Sequence, residues 1–230
     1  MATHLDLQEQ EQVDQLKDFW KQYGNLITWV LIIALGGFAA FNGWQWMQRD
    51  RAAKASVLFD ELEKAAQAGD VDKAARVFSD MKERYASTAF AGQAGLLAAR
   101  AQFEKGQNDA ARASLEWVIG NASEQEYPVI AKLRLAGILL DEKKYDEALK
   151  ALPVDPPASF AGLVADRRGD ILLAQGKADE ARAAYRAAFD AMAPTLDYRR
   201  LVDAKLTALG AAPETPAAVG TAPAATGASK

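Results

Sequence analysis

GDVDKAARVF (69–78), GQNDAARASL (106–115), KKYDEALKAL (143–152) and GKADEARAAY (176–185) are four versions of one pattern. The fourth position is acidic in each: Asp72, Asp109, Asp146 and Asp179. The sixth is Ala74, Ala111, Ala148 or Ala181, and four residues later comes a bulky Phe78, Leu115, Leu152 or Tyr185. The copies begin 37, 37 and 33 residues apart. Helical stretches rich in Ala lie between them, so each copy marks the turn and second helix of a hairpin. Glycine at the first position ends one helix in a left-handed conformation, and the aspartate is expected to cap the next. Alanine lets the paired helices approach, and the bulky residue fills the gap to the neighbouring hairpin. Twelve residues before each anchor alanine stand Leu62, Ala99, Ala136 and Gly169, where close approach again favours a small side chain. Leu62 departs from this, which marks the first unit as irregular.

The pattern resembles the tetratricopeptide repeat, in which antiparallel helix pairs stack at a period of about 34 residues. The expected fold is therefore all-α: an α-solenoid of about four helical hairpins over 51–210. Pro153, Pro156 and Pro157 shorten the second helix of the third unit, because proline cannot continue the hydrogen-bond ladder. A helix from about Leu196 to Leu209 caps the open end. The tail 211–230 is Ala, Pro, Thr and Gly with almost no bulky apolar group, too little to offset the entropy of ordering.

Working outward in the other direction, no charged residue occurs from Gln22 to Gln48. As a helix this stretch is about 40 Å long, against a hydrocarbon layer of about 30 Å. Leu26, Ile27, Val30, Leu31, Ile32, Ile33, Leu35, Phe38 and Phe41 favour insertion, and Tyr23, Trp29, Trp44 and Trp46 lie toward the two interfaces. A single transmembrane helix is expected over 25–47. The preceding segment 1–24 is acidic, unlike the basic leader of a cleaved signal peptide. Val13, Leu16, Phe19 and Trp20 give it an apolar face, so an amphipathic helix turning at Gly24 is expected. That face suits either a protein partner or a plain lead-in to the anchor. Within the anchor, Gly36, Ala39, Ala40 and Gly43 form a small-residue stripe. Such a stripe admits a second helix, although Gly and Ala are also common in membrane helices generally. Lys17 and Lys21 flank one end and Arg49, Arg51 and Lys54 the other, so charge alone puts the repeat domain in the cytoplasm by one residue.

Composition removes several functions. Without cysteine there is no disulfide framework and no thiolate chemistry. A net charge of −4 does not suit a nucleic-acid surface. His4 is the one histidine, near the N-terminus, with no second histidine or cysteine to share a metal, and there is no glycine-rich phosphate loop. No catalytic, cofactor-binding or metal-binding residue is assigned. Asp166 and Asp170, four apart beside Arg167 and Arg168, are either an acid–base pair or a salt-bridged helix face. Helical repeats instead offer a concave surface. The usual inward positions are Leu96, Arg100, Phe103, Leu133, Leu140, Leu163 and Leu173, which form either a peptide groove or ordinary core between repeats.

Three stretches carry a closer resemblance: EQVDQLKDFWKQYGN (11–25), the Gly43-Trp44 pair ending the anchor, and above all VADRRGDILLAQGKADEAR (164–182). From Glu9 to Leu209 the chain resembles the YfgM-type ancillary subunits of the bacterial Sec translocon. That resemblance implies a non-catalytic, single-pass protein of the inner membrane, N-terminus cytoplasmic and repeat domain periplasmic, against the one-charge count. The partners it implies are the Sec translocon, a membrane-anchored periplasmic chaperone of the parvulin type, and newly translocated client polypeptides. A membrane-anchored scaffold for cytoplasmic or regulatory partners is the alternative.

Overall fold

The computed structural model describes residues 7–212; His4 and most of the C-terminal tail lie outside them. Among the described residues there are nine helices and no strand. The chain divides into two compact units, one up to Lys54 and one from Ala55 onward.

The first unit consists of the N-terminal part of α1 (Leu7–Gln67). The expected turn at Gly24 is absent, and the helix runs through it. A single glycine costs a helix interior only about 1 kcal/mol relative to alanine, and the Trp20 indole covers the bare Gly24 backbone. Leu26, Val30, Leu31, Ile32, Ile33, Leu35, Phe38 and Phe41 are all exposed on α1. The helix is long and apolar enough to cross a membrane, and its apolar stretch is almost entirely unburied, unlike the core helix of a globular domain. Gly36, Ala39, Ala40 and Gly43 are exposed as well, with open space around both glycines.

The second unit is a stack of hairpins. The end of α1 packs on α2 (Val71–Tyr85) through a shared apolar cluster and the Lys73–Glu61 bridge. Further along, α3 (Ala89–Glu104) pairs with α4 (Asn108–Asn121), α5 (Glu126–Asp141) with α6 (Tyr145–Ala151), and α7 (Ala158–Ala174) with α8 (Ala178–Ala191). The single helix α9 (Asp197–Ala208) follows and packs on α8. Four apolar clusters run along the stack, each formed by three successive helices, with α3, α5 and α7 shared between neighbours. Each repeat thus buries its apolar face only against the next, the arrangement that stabilises a solenoid. The eight repeat positions read from the sequence supply much of this core. Ala74, Ala111, Ala148 and Ala181 are buried, and so are Phe78, Leu115, Leu152 and Tyr185.

Close helix approach explains the small residues. A Cβ at Gly169 would lie 2.5 Å from Tyr185 Cε1, and one at Gly95 would lie 2.4 Å from Val118 Cγ2. Both glycines are positions where a neighbouring helix occupies the space a side chain needs. Leu62 is the exception. It is fully buried between α1, α2 and α3, where its bulk serves as core in the first hairpin.

The turns repeat as faithfully as the core. Gly69, Gly106 and Gly176 have φ of 71°, 75° and 79°, and Lys143 takes the same place with φ 59°. At each, two backbone bonds close the helix end; after α5, Lys144 N bonds Leu139 O at 2.8 Å and Lys143 N bonds Leu140 O at 2.9 Å. These are Schellman closures. A left-handed lysine carries a Cβ penalty that glycine avoids. Lys143→Gly is therefore expected to stabilise the protein by about 1 kcal/mol, read as a higher urea midpoint of the detergent-solubilised chain with unchanged slope.

The four repeat aspartates are not the caps that the sequence suggested. The N-cap residues are Asp70, Gln107, Lys144 and Lys177, and among the second helices only Asp70 makes a side-chain cap bond, from Lys73 N at 2.9 Å. After the left-handed residue the chain enters the helix within two residues, so Asp72, Asp109, Asp146 and Asp179 fall inside the first turn. There an anion still suits the free N–H groups and the helix dipole. Asp109 and Asp179 pair with Arg112 and Arg182 one turn on, while Asp146 accepts from Gln175 Nε2 at 3.0 Å. The shortened α6 ends at Ala151, ahead of the prolines.

Candidate functional site

The first helices of the second, third and fourth hairpins, α3, α5 and α7, adjoin one another. With Leu115 of α4 they line an open cavity of about 410 Å³, within the range of small-ligand pockets. Its apolar wall is Ala99, Phe103, Leu115 and Ile138, with Gly137 between them. Its charged wall is Arg100, Arg134 and Arg167 against the single carboxylate of Asp141. The balance is positive on a chain whose net charge is −4.

Each arginine is held differently. Arg100 Nε pairs with Glu104 at 2.7 Å one turn along α3, an exposed contact. Arg167 reaches Asp170 only at 4.0 Å, and its guanidinium lies across α5 at Gly137, within 3.6 Å of where a Cβ would stand. Arg134 Nη1 donates to the Leu96 carbonyl of α3 at 2.8 Å. Among the described residues no carboxylate pairs with Arg134. Desolvation, and then the nearby Arg100 charge, hold its pKa below the usual arginine value.

Of the seven groove positions expected from the sequence, the structure brings Arg100 and Phe103 together in this cavity. Leu96 is buried in the core of α3, α4 and α5. Leu133 and Leu140 pack on the α5–α6–α7 cluster, and Leu163 packs on the cluster around α8. Leu173 is exposed but lies outside the cavity wall. Leu96, Leu133, Leu140 and Leu163 are thus taken up by the interfaces between hairpins, whereas Arg100 and Phe103 stay at the opening. Arg134 and Arg167 were not among the expected positions. The signal for them is register: each stands nine residues before a left-handed turn residue, Lys143 or Gly176, so both fall at the same place in successive repeats.

Asp166 and Asp170 form a second polar cluster, and it is spoken for. Asp166 is 2% exposed and accepts Lys205 Nζ at 2.8 and 3.0 Å and the Tyr198 hydroxyl at 2.7 Å. Asp170 accepts Lys205 Nζ at 2.7 Å and the Tyr185 hydroxyl at 2.8 Å. Burial first, and then these carboxylates, push both tyrosine hydroxyls well above the ordinary tyrosine range, so they act as fixed donors. The network ties α9 to α7 across 39 residues of chain. With every member engaged, it is a latch for the terminal helix. Among the described residues no group of His, Asp and Glu is placed to hold a metal ion.

Comparison with known proteins adds to this geometry. Residues 17–211 match the tetratricopeptide repeat-like domain family. The chain is 34% identical to the ancillary SecYEG translocon subunit of Neisseria gonorrhoeae, over 91% of this chain and 100% of that protein. The chain belongs to the family of ancillary SecYEG translocon subunits. It is also similar to the members from Haemophilus influenzae, 30% identical over 74% of this chain and 83% of that one, and from Escherichia coli K12, 28% over 78% and 86%. The match to the family domain begins at Lys17, so it takes in the apolar stretch of α1 as well as the repeats, α9 included.

Proposed function

We propose that this protein is a non-catalytic accessory of the Sec translocon, anchored in the bacterial inner membrane by α1. Its repeat domain stands on the periplasmic side and holds a parvulin-type chaperone and emerging polypeptides near the exit of the channel. The observation that carries this reading is the similarity to the whole length of the Neisseria subunit, anchor and repeats together. The solenoid supports it: stacked hairpins with a concave, charged opening suit polypeptide binding, and the Asp166–Asp170 cluster serves structure. The boundaries follow the same logic: a lead-in over 1–24, the membrane span over 25–47, repeats over 51–210 and a tail over 211–230.

Purification of the full chain from membranes in mild detergent tests this. Channel subunits and a membrane-anchored chaperone are expected to co-purify, and their absence would sink the reading. The charge count around the anchor, Arg49, Arg51 and Lys54 against Lys17 and Lys21, favours the rival reading of a scaffold facing the cytoplasm. A reporter active only outside the cytoplasm, fused after Lys230, separates the two. Activity places the repeats in the periplasm, and silence places them with the cytoplasmic partners.

A further inference from the structure

We infer that the cavity between α3, α5 and α7 is a selective subsite for an acidic side chain flanked by a bulky apolar one, on a polypeptide segment bound by the repeats. The inference rests on the proposed role in holding polypeptides, and it names the chemistry of the segment that is held.

Charge complementarity singles out this occupant. Arg100, Arg134 and Arg167 come from three different helices and converge on one opening. Arg134 spends one N–H on the Leu96 carbonyl, and the rest of its fork has no acceptor among the described residues. Arg167 is held at 4.0 Å from its nearest carboxylate, too long for a strong charge-assisted bond. Arg134 is exposed and the Arg167 side chain is 36% exposed, so their remaining N–H groups are open to a ligand, and a planar guanidinium matches a carboxylate in two parallel bonds. The neighbouring surface is apolar, with Phe103 39% exposed beside buried Leu115 and Ile138. An anion alone would leave that surface wet, whereas an acidic residue next to Leu or Phe would cover both. Asp141, the one carboxylate in the wall, offers an acceptor to a backbone N–H of the same segment.

The binding partner for the test is the fluorescein-labelled peptide Ser-Glu-Leu-Asp-Phe-Glu-Ser, with a twin in which Gln and Asn replace the acids. Both are titrated onto the detergent-solubilised full chain by fluorescence anisotropy. The acidic peptide is expected to bind at least about tenfold more tightly than its twin, the size of one charge-assisted hydrogen bond. Arg134→Gln and Arg167→Gln should each remove most of that difference, while Arg84→Gln on α2, of equal charge, should leave it. Because Arg134 also bridges α3 and α5, Arg100→Gln serves as the second variant. Its side chain is 67% exposed and its ion pair is with Glu104 one turn along the same helix, so its removal unties no two helices and a loss it causes is read as electrostatic.

Equal binding of the twins would overturn the inference. So would unchanged discrimination in all three cavity variants, or displacement by inorganic phosphate as effective as by unlabelled acidic peptide. The same preparation is assayed for co-purified channel subunits. Their presence without peptide discrimination would remove the subsite and leave the proposed function standing, and discrimination without them would do the reverse.

Discussion

Asp166→Ala is expected to cost about 3–5 kcal/mol of folding stability, the usual penalty for removing one partner of a buried ion pair. Asp166 is almost fully buried in α7 and anchors Lys205 and Tyr198, which reach it from α9. Without it, the Lys205 ammonium, whose side chain is 23% exposed, keeps only Asp170 as a counterion. Tyr198 loses its acceptor at the same time. α9 would then let go of the stack and expose Val202 and Leu206, both fully buried in the native chain. Terminal helices of a solenoid protect the last repeat from water, so the damage should spread into α7 and α8. Urea unfolding followed by helical circular dichroism should show an early phase or a lower midpoint. Because Lys205 also pairs with Asp170, the neutral replacement must take all three charges. Asp166→Leu, Asp170→Asn and Lys205→Met together should cost less than Asp166→Ala alone, since buried ion pairs replaced by neutral groups are often near neutral. A cost below about 1 kcal/mol for Asp166→Ala would mean that the latch is an ordinary surface bridge.

Leu62→Ala is the second large effect, about 2–5 kcal/mol. By the repeat pattern alone this change should be harmless or helpful, because Ala99, Ala136 and Gly169 hold the equivalent places. The structure reverses the expectation. Leu62 has no exposed surface and fills the cluster formed with Val77, Phe78, Met81 and Ala94. Truncation would leave a cavity in the first hairpin, which has no earlier repeat to pack against. The contrast with Ala99→Gly makes the test specific. That change removes one methyl at a close helix crossing, plus the helix propensity of Ala, and should cost only about 1–2 kcal/mol. If Leu62→Ala proved the milder of the two, the first unit would follow the repeat rule after all.

Much of the second unit was readable because its information is local and periodic. A left-handed residue, an alanine at the fourth residue of the next helix and a bulky residue four further on each satisfy a constraint set by the hairpin and its neighbour. Repetition lets four weak signals confirm one another, and even Lys143 betrays its conformation by standing where three glycines stand. The apolar run in α1 was readable for the same reason, since the length and composition of one helix suffice. The aspartates were misplaced by two residues because helix starts depend on how tightly the chain leaves the turn, which composition does not record.

From the sequence alone came the all-helical repeat architecture, the hairpin boundaries near the glycines, and the greasy segment ahead of them. Packing decided the rest. Which inward side chains become core and which line an opening depends on the neighbouring helix: Leu96 is buried and Phe103 is not, though both lie on α3. Likewise Lys205 finds Asp166 and Asp170, and Arg134 finds the Leu96 carbonyl, over 39, 35 and 38 residues of chain. A periodic pattern specifies which face of a helix turns inward, but the partner met there is set by how whole helices stack. Only the folded chain brings those charges together.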